Sequence, residues 1–392
     1  IRECGVNVVR LGEVTTPMYY YSWDLLNIKC GMMITASHNP KDDNGFKFSY
    51  NGIHNACGKS TMELYDIIIS HDFFSNGKLG EVKDVNIRED YLKMITSSIK
   101  LGDHKLKVVY DCGNGTTCLV ADDIFNQFKD KLELYPLFNT SDSEFPNHHP
   151  DPAVEANLEQ LKAKVLEVGA DVGVAFDGDG DRVGIVDNEG KMVDIDKYMI
   201  IIWRDLAKKI SDKRTFYDVK CSLALKEELD KLGVQNEFYR TGNSYSKLKS
   251  VEGNYPFGGE LSGHLFFRDK FSGNDDGIYA GLRIIEILSN TNKKVTELLE
   301  GISKYYSTPE IKIATNDDIK FQIIDKVKEY CEEKKYNILT LDGVKILFSD
   351  GAAIVRASNT GPNITCRFEA KSESRLKEIE TEFLDLLKQL SA

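Results

Sequence analysis

No apolar run in the sequence is long enough to cross a bilayer; residues 198–203, the best candidate, read as a buried strand or helix segment. No basic-then-apolar start reads as a secretory signal. Positive charge is scarce: 50 Lys and Arg stand against 62 Asp and Glu, a formal net charge of −12, which argues against a phosphate-backbone partner such as nucleic acid. That balance still suits a small anionic substrate, because a few clustered Arg and Lys residues can reverse the sign locally. The eight cysteines contain no C-x-x-C and no framework spacing, so a disulfide scaffold is excluded and buried, reduced thiols in a cytoplasmic protein are expected. Repeats at solenoid periods and low-complexity tracts are also missing.

What is present fits a packed globular chain. The 392 residues are 41% hydrophobic and 29% charged, too long for one ordinary core. Strand-like and helix-like stretches alternate, the mark of α/β layering. Residues 5–12 read as a strand entering a turn, 31–35 as a strand that stops at a polar loop, 45–49 as its continuation and 60–70 as a helix. Residues 106–110 form a β-branched strand before the turn Asp111-Cys112-Gly113-Asn114-Gly115. Residues 145–152 hold three of the nine prolines and read as an ordered loop. An amphipathic stretch over 157–168 precedes a strand at 171–176. Residues 276–289 and 374–390 have helical spacing, and strands lie at 352–355 and 364–369. Four consecutive modules are expected: 1–90, 91–191, 192–304 and 305–392. The chain begins at Ile1 in what reads as mid-domain sequence, so a missing N-terminal fragment is expected.

Four constellations carry chemistry. In Thr35-Ala36-Ser37-His38-Asn39-Pro40, a hydroxyl sits among small polar residues with Pro40 fixing the exit. Serine is a weak nucleophile that needs a base, a metal or prior phosphorylation, and alone this is an ordinary turn. Lys47 could return to the same place as a proton carrier. In Asp177-Gly178-Asp179-Gly180-Asp181-Arg182, alternate carboxylates separated by glycines can wrap one hard cation, and oxygen-only ligands suit Mg²⁺ or Mn²⁺. Arg182 and Asn188 rule out an EF-hand, and an unpartnered acidic turn after an apolar strand would concentrate like charges. In Gly258-Gly259-Glu260-Leu261-Ser262-Gly263-His264, glycines allow close backbone approach while Glu260 and Ser262 suit sugar hydroxyls; a polar hairpin is the plainer reading. In Arg356-Ala357-Ser358-Asn359-Thr360-Gly361-Pro362, one guanidinium beside three short polar side chains makes an anion nest, or simply a hairpin loop. Gly113-Asn114-Gly115 lacks the third glycine of a dinucleotide fingerprint and reads as a strand-to-helix turn. His148-His149 reads as a surface pair.

Taken in order, one loop per module, these four resemble the α-D-phosphohexomutase superfamily, in its phosphomannomutase/phosphoglucomutase branch. The resemblance spans essentially the whole chain and is supported by Asp218-Val219-Lys220-Cys221, by Asp275-Asp276-Gly277-Ile278-Tyr279 and by the 145–152 loop. It implies an α/β fold of three related α/β domains with mixed sheets plus a smaller C-terminal α+β domain around a central cleft. It implies that Ser37 is a phosphoserine, with Asp177, Asp179 and Asp181 holding Mg²⁺ against it. Arg182, Lys47 and His38 would join Ser37 in catalysis. Lys220, Arg240, Asn243, Glu260, Ser262, His264, Arg356, Ser358, Asn359 and Thr360 would bind substrate. The implied reaction interconverts hexose 1-phosphate and hexose 6-phosphate through a hexose 1,6-bisphosphate, in a cytoplasmic monomer or dimer whose partners are sugar phosphates rather than nucleic acid or membrane. Many relatives carry histidine at Asn243, and asparagine cannot shuttle a proton near neutral pH, so more would fall on Lys47. Family members also have several tens of residues before the position of Ile1.

Leu261, apolar like the methionine common in the mannose/glucose branch, favours that branch over phosphoglucosamine mutase, and Phe266-Phe267 follows as it often does there. A metal-dependent phosphatase would share Ser37 and the acidic loop without needing a sugar loop and a phosphate nest. An inactive or regulatory sugar-phosphate binder is the non-enzymatic alternative.

Overall fold

The structure is a computed structural model, described for residues 1–50, 55–358 and 361–391. The chain forms two compact units, one of residues 1–205 and 243–299, the other of residues 206–242 and 300–392.

The first unit is organised by a five-stranded sheet in the order Leu132–Leu137, Leu106–Asp111, Val172–Phe176, Val183–Val186, Met192–Val193. The first three strands are parallel and the last two antiparallel. Every residue of Val172–Phe176 is buried, as expected for a strand covered on both faces. The covering helices explain this. Leu161 and Val165 of Glu159–Val168 reach Gly173 on one face, while Gly281 of Gly277–Thr291 lies against Val174 and Phe176 on the other. Successive strand residues point to opposite faces, so both helices are served by one short apolar run. Asp276 caps the second helix by accepting a hydrogen bond from Tyr279 N at 2.9 Å.

Two tight connections in this unit place the Ser37 and acidic loops. Cys30–Ile34 and Phe46–Tyr50 pair antiparallel, with Met33 opposite Lys47, so the chain leaves and re-enters the same small sheet around Ser37. Val172–Phe176 and Val183–Val186 pair with Phe176 opposite Val183, so the acidic loop closes a hairpin. The helix Thr16–Leu26 starts with Thr15 capping Met18 N and a proline in its first turn, and its first N–H donates to Asp179 O at 2.9 Å.

In the second unit, Arg214–Asp218 and Gln235–Tyr239 form a parallel pair, with the Ser222-capped helix Leu223–Lys231 between them in sequence. A six-stranded antiparallel sheet is built on the long pair Gly351–Ala357 and Asn363–Ala370. The helices Lys320–Glu333 and Glu373–Ser391 close its apolar face, with Ile323, Val327, Phe368, Ile379 and Phe383 in one core. Lys345 Nζ, buried, donates to the carbonyls of Val219 and Cys221 at 2.7 and 3.0 Å, tying the two parts of the unit together.

Most sequence expectations of element type hold. Residues 198–203 are helical, within Ile195–Leu206, and the turn after Asp111 leads first into a short 3-10 helix, Thr116–Leu119. The expectation for the cysteines holds only in part. All eight are free, but Cys30 is exposed, and Cys4, Cys57 and Cys118 are half-buried. No helix among the described residues is long and apolar enough to cross a membrane.

The C-terminal core gives a direct test. Phe383 is fully buried and its ring stacks with Phe368. Phe383→Ala should cost about 3–5 kcal/mol in urea unfolding followed by circular dichroism.

Candidate active site

Ser37 stands at the turn between its two strands with φ 54°, a left-handed conformation unusual for a residue with a side chain. Thr35 Oγ1 holds the turn by accepting from Ser37 N at 2.9 Å, and Ser37 Oγ donates to Asp177 Oδ2 at 3.1 Å. This approach needs Gly178: a Cβ there would lie 2.5 Å from Ser37 O. Asp177 Oδ1 in turn accepts from Gly180 N and Arg182 N, both at 3.0 Å, and so shapes its own loop.

Asp177, Asp179 and Asp181 are all buried and their oxygens come within 4.8 Å of one another. Burial and the charges of Asp181 and Asp179 push the Asp177 carboxyl well above its ordinary pKa. Lys47 answers part of this charge, donating to Asp179 Oδ2 at 2.8 Å and Asp181 Oδ2 at 2.6 Å. Burial opposes the Lys47 charge, but the two carboxylates outweigh it and hold its pKa well above the usual lysine value. Thr16 and Thr35 hydroxyls donate to the same Asp179 oxygen at 2.8 and 2.9 Å. Asp179 Oδ1 and Asp181 Oδ1 are buried without a hydrogen-bond partner among the described residues. Such oxygens are costly to bury unless something cationic faces them, and an oxygen-only set fits a hard divalent cation.

Arg182 and His264 form the next layer. Arg182 Nε donates to His264 Nε2 at 2.9 Å, and His264 Nδ1 lies 2.9 Å from Asp275 Oδ2 and 3.4 Å from Asp181 Oδ1. Asn243 packs against the same ring at 2.7 Å, donates to Asp275, and accepts from Asn55 at 3.1 Å. Lys247, fully buried, sits 3.7 Å from Asp275. Burial drives its pKa well below the ordinary lysine value. Glu260 is buried and accepts from Ser246 and Ser262. On the other side of Ser37, His38 Nδ1 is 3.3 Å from Asp151 Oδ2. Burial works against the Asp151 charge, but His38 and Arg182 hold its pKa down at about 2.

Ser37, His38, Lys47, Asp177, Asp179, Asp181, Arg182, Asn243, Glu260, Ser262 and His264 therefore all belong to the first compact unit. Lys220, Arg240, Arg356 and Ser358 belong to the second. There Lys220 Nζ lies 3.6 Å from Glu310, and the Ser358 carbonyl accepts from the buried Lys320 Nζ at 2.8 Å. Asn359 and Thr360 lie outside the described residues.

Comparison with known proteins decides the family. The models for phosphoglucomutase/phosphomannomutase match along the chain: alpha/beta/alpha domain I over residues 1–74, domain II over 89–190, domain III over 194–306 and the C-terminal domain over 310–386. The chain belongs to the phosphoglucomutase/phosphomannomutase family. It is 40% identical over 381 residues to a phosphomannomutase/phosphoglucomutase of Pseudomonas putida, covering 97% of this chain and 81% of that one. A phosphoglucomutase of Neisseria meningitidis is 35% identical over 386 residues, covering 97% and 82%. Among solved structures, a phosphoglucomutase/phosphomannomutase family protein from Burkholderia thailandensis superposes with a TM-score of 0.90 at 34% identity, covering 99% of this chain and 84% of that one. The chain is thus one of a family of hexose-phosphate mutases, with the mixed α/β architecture of that family.

Sequence reasoning missed several groups around this mutase site. Asp275 stands out in sequence only as part of the 275–279 stretch, with no role of its own, and Lys247 carries no motif; both reach the His264 cluster only through the fold. The reading of His148-His149 as a surface pair is overturned. His148 is nearly buried, and its two ring nitrogens lie 3.0 Å from Asp111 Oδ2 and 3.0 Å from the His149 carbonyl, while His149 Nε2 meets the His38 carbonyl at 2.6 Å. The proline-rich 145–152 loop thereby buttresses the Ser37 turn, and its ordered, three-proline character was the available signal.

With both ring nitrogens facing acceptors, His148 is best satisfied as imidazolium. Burial opposes that charge, but the hydrogen bond and charge of Asp111 and the His149 carbonyl outweigh it and raise the pKa above the ordinary histidine value. A raised folded-state pKa stabilises the fold fully below the unfolded value near ~6.5, and that stabilisation fades as pH rises through the folded value. The melting-temperature gap between the native protein and His148→Gln should therefore be wider at pH 6 than at pH 9. A gap that is constant or grows with pH would exclude a charged His148.

Proposed function

We propose that Ser37 is the phosphoryl carrier of this mutase, which interconverts the 1- and 6-phosphates of mannose, glucose or both by way of a hexose 1,6-bisphosphate. The observation that carries this reading is the Ser37 hydroxyl on Asp177, in a strained turn beside a buried carboxylate triad in which two oxygens accept no hydrogen bond among the described residues. The four matched stretches support reading the chain as four domains, 1–90, 91–191, 192–304 and 305–392.

In the forward direction, phosphoserine 37 gives its phosphoryl group to the 6-hydroxyl of a hexose 1-phosphate. The P–Oγ bond breaks, a P–O6 bond forms, and the proton lost from O6 is made up on Ser37 Oγ. The bisphosphate then returns its 1-phosphoryl group: the P–O1 bond breaks, P–Oγ re-forms, and the Ser37 hydroxyl proton is made up on O1, leaving hexose 6-phosphate. Such transfer is governed by positioning and charge neutralisation. Arg182, anchored by His264, is placed to steady the phosphoryl group. Lys47 holds a proton at Nζ within the same cluster, and His38, paired with Asp151, fixes the loop beside the carrier. Asp177, Asp179 and Asp181 are the residues that would hold Mg²⁺, which when bound offsets the negative charge of the phosphoryl group. Glu260 and Ser262 belong to the sugar side, with Ser262 tied to Glu260 at 3.2 Å. Lys220, Arg240, Arg356, Ser358, Asn359 and Thr360 would take the phosphate that is not reacting. The buried thiols Cys112, Cys221, Cys331 and Cys366 support a cytoplasmic location.

Ser37→Ala should lower turnover of mannose and glucose 1-phosphates by about 1,000-fold or more, in line with loss of a covalent nucleophile. Intact-mass analysis of bisphosphate-treated protein should lose the single-phosphate adduct in the same variant. Full activity in Ser37→Ala would end the proposal. Chelation should abolish activity and Mg²⁺ restore it. Glucosamine 1-phosphate in the same assay should turn over more slowly than the other two sugars. Release of inorganic phosphate without 6-phosphate product would instead indicate a phosphatase.

A further inference from the structure

Arg356, assigned above to the non-reacting phosphate, does not stand alone. Its Nε donates to Asp342 Oδ2 at 2.9 Å, with Nη2 at 3.5 Å from Oδ1, and both side chains are under 10% exposed. The same Oδ2 accepts from the backbone N–H of Thr241 at 3.1 Å, directly after Arg240. One largely shielded carboxylate therefore joins two stretches assigned to phosphate binding, and all of these residues lie in the second compact unit.

The local backbone is built for this contact. Asp342 lies in the turn between Asn337–Leu339 and Val344–Leu347, followed by Gly343 at φ 74°. A Cβ on Gly343 would meet Val355 O at 2.3 Å and Arg356 Cα at 2.6 Å, so only glycine lets the turn rest on the Arg356 strand.

On charge alone, a carboxylate beside an anion-binding arginine is a disadvantage, since it lowers the local positive potential. Its benefit is orientation. A guanidinium gripped along its Nε edge keeps a fixed plane, and Nη1 takes no part in the Asp342 bonds. We infer that Asp342 is a positioning residue for substrate phosphate: it sets the Arg356 guanidinium and ties it to the 240–241 backbone. This rests on the assignment of Arg356 to the non-reacting phosphate.

The test is a mutant cycle on the full chain, with steady-state kinetics on glucose 1-phosphate and competitive inhibition by inorganic phosphate. Asp342→Ala should raise KM and the inhibition constant by about 10-fold or more, the scale of a lost charged hydrogen bond, with kcat changed less than about 3-fold. Asp342→Asn, which keeps one acceptor oxygen, should fall between the two and carries the test if the alanine variant does not fold. Adding Asp342→Ala to Arg356→Ala should change KM by less than about 2-fold, because Asp342 acts through Arg356. Tighter phosphate inhibition in either Asp342 variant, or losses that multiply in the double variant, would overturn the inference. If Arg356→Ala raises KM and Asp342→Ala does not, the inference alone fails. An unchanged KM in Arg356→Ala would remove the Arg356 assignment itself.

Discussion

Three carboxylates buried at the end of an apolar strand are the constraint on which the first compact unit turns. Like charges in a poorly polarisable interior repel strongly, and each loses its hydration. Asp177, Asp179 and Asp181 tolerate this because Lys47, Arg182 and several hydroxyl and amide donors converge on them. Those donors come from the 16–26 helix, the Ser37 hairpin and the acidic loop itself. The demand for counter-charge is therefore also what gathers these elements around the triad.

The same demand explains the layering behind Arg182. The Arg182 guanidinium is fixed along its Nε edge, because His264 takes its Nε hydrogen. His264 is held in turn by Asp275 and Asn243, with Lys247 behind them. Asn243 is part of this frame, joining the His264 ring, Asp275 and Asn55. Asp342 repeats the arrangement for Arg356 in the second unit: a largely shielded acceptor holds the guanidinium along one edge. In both units the protein spends a buried polar contact to hold a cationic group in one orientation.

The strained Ser37 turn has a physical origin in the same region. Its left-handed backbone is stabilised by Thr35, by close contact with Gly178, and by the His149 ring on the neighbouring carbonyl. The 145–152 loop matters because it supplies that last support, along with Asp151 for His38.

The chain's local patterns determined the element types, the acidic hairpin, the Ser37 turn and the return of Lys47. These are short-range features: an apolar run followed by a turn, a hairpin register, a helical period. The family resemblance added which loops to read together, and the matched family models bear out the resemblance itself. The tertiary structure alone decided that His148 packs, nearly buried, against Asp111 and that Asp275 stands behind His264. It also decided that Asp342, an ordinary Asp-Gly turn in sequence, reaches both Arg356 and Thr241. Each of those contacts joins residues that share no local pattern, and their worth depends on burial, which a polar residue's own sequence neighbours do not fix.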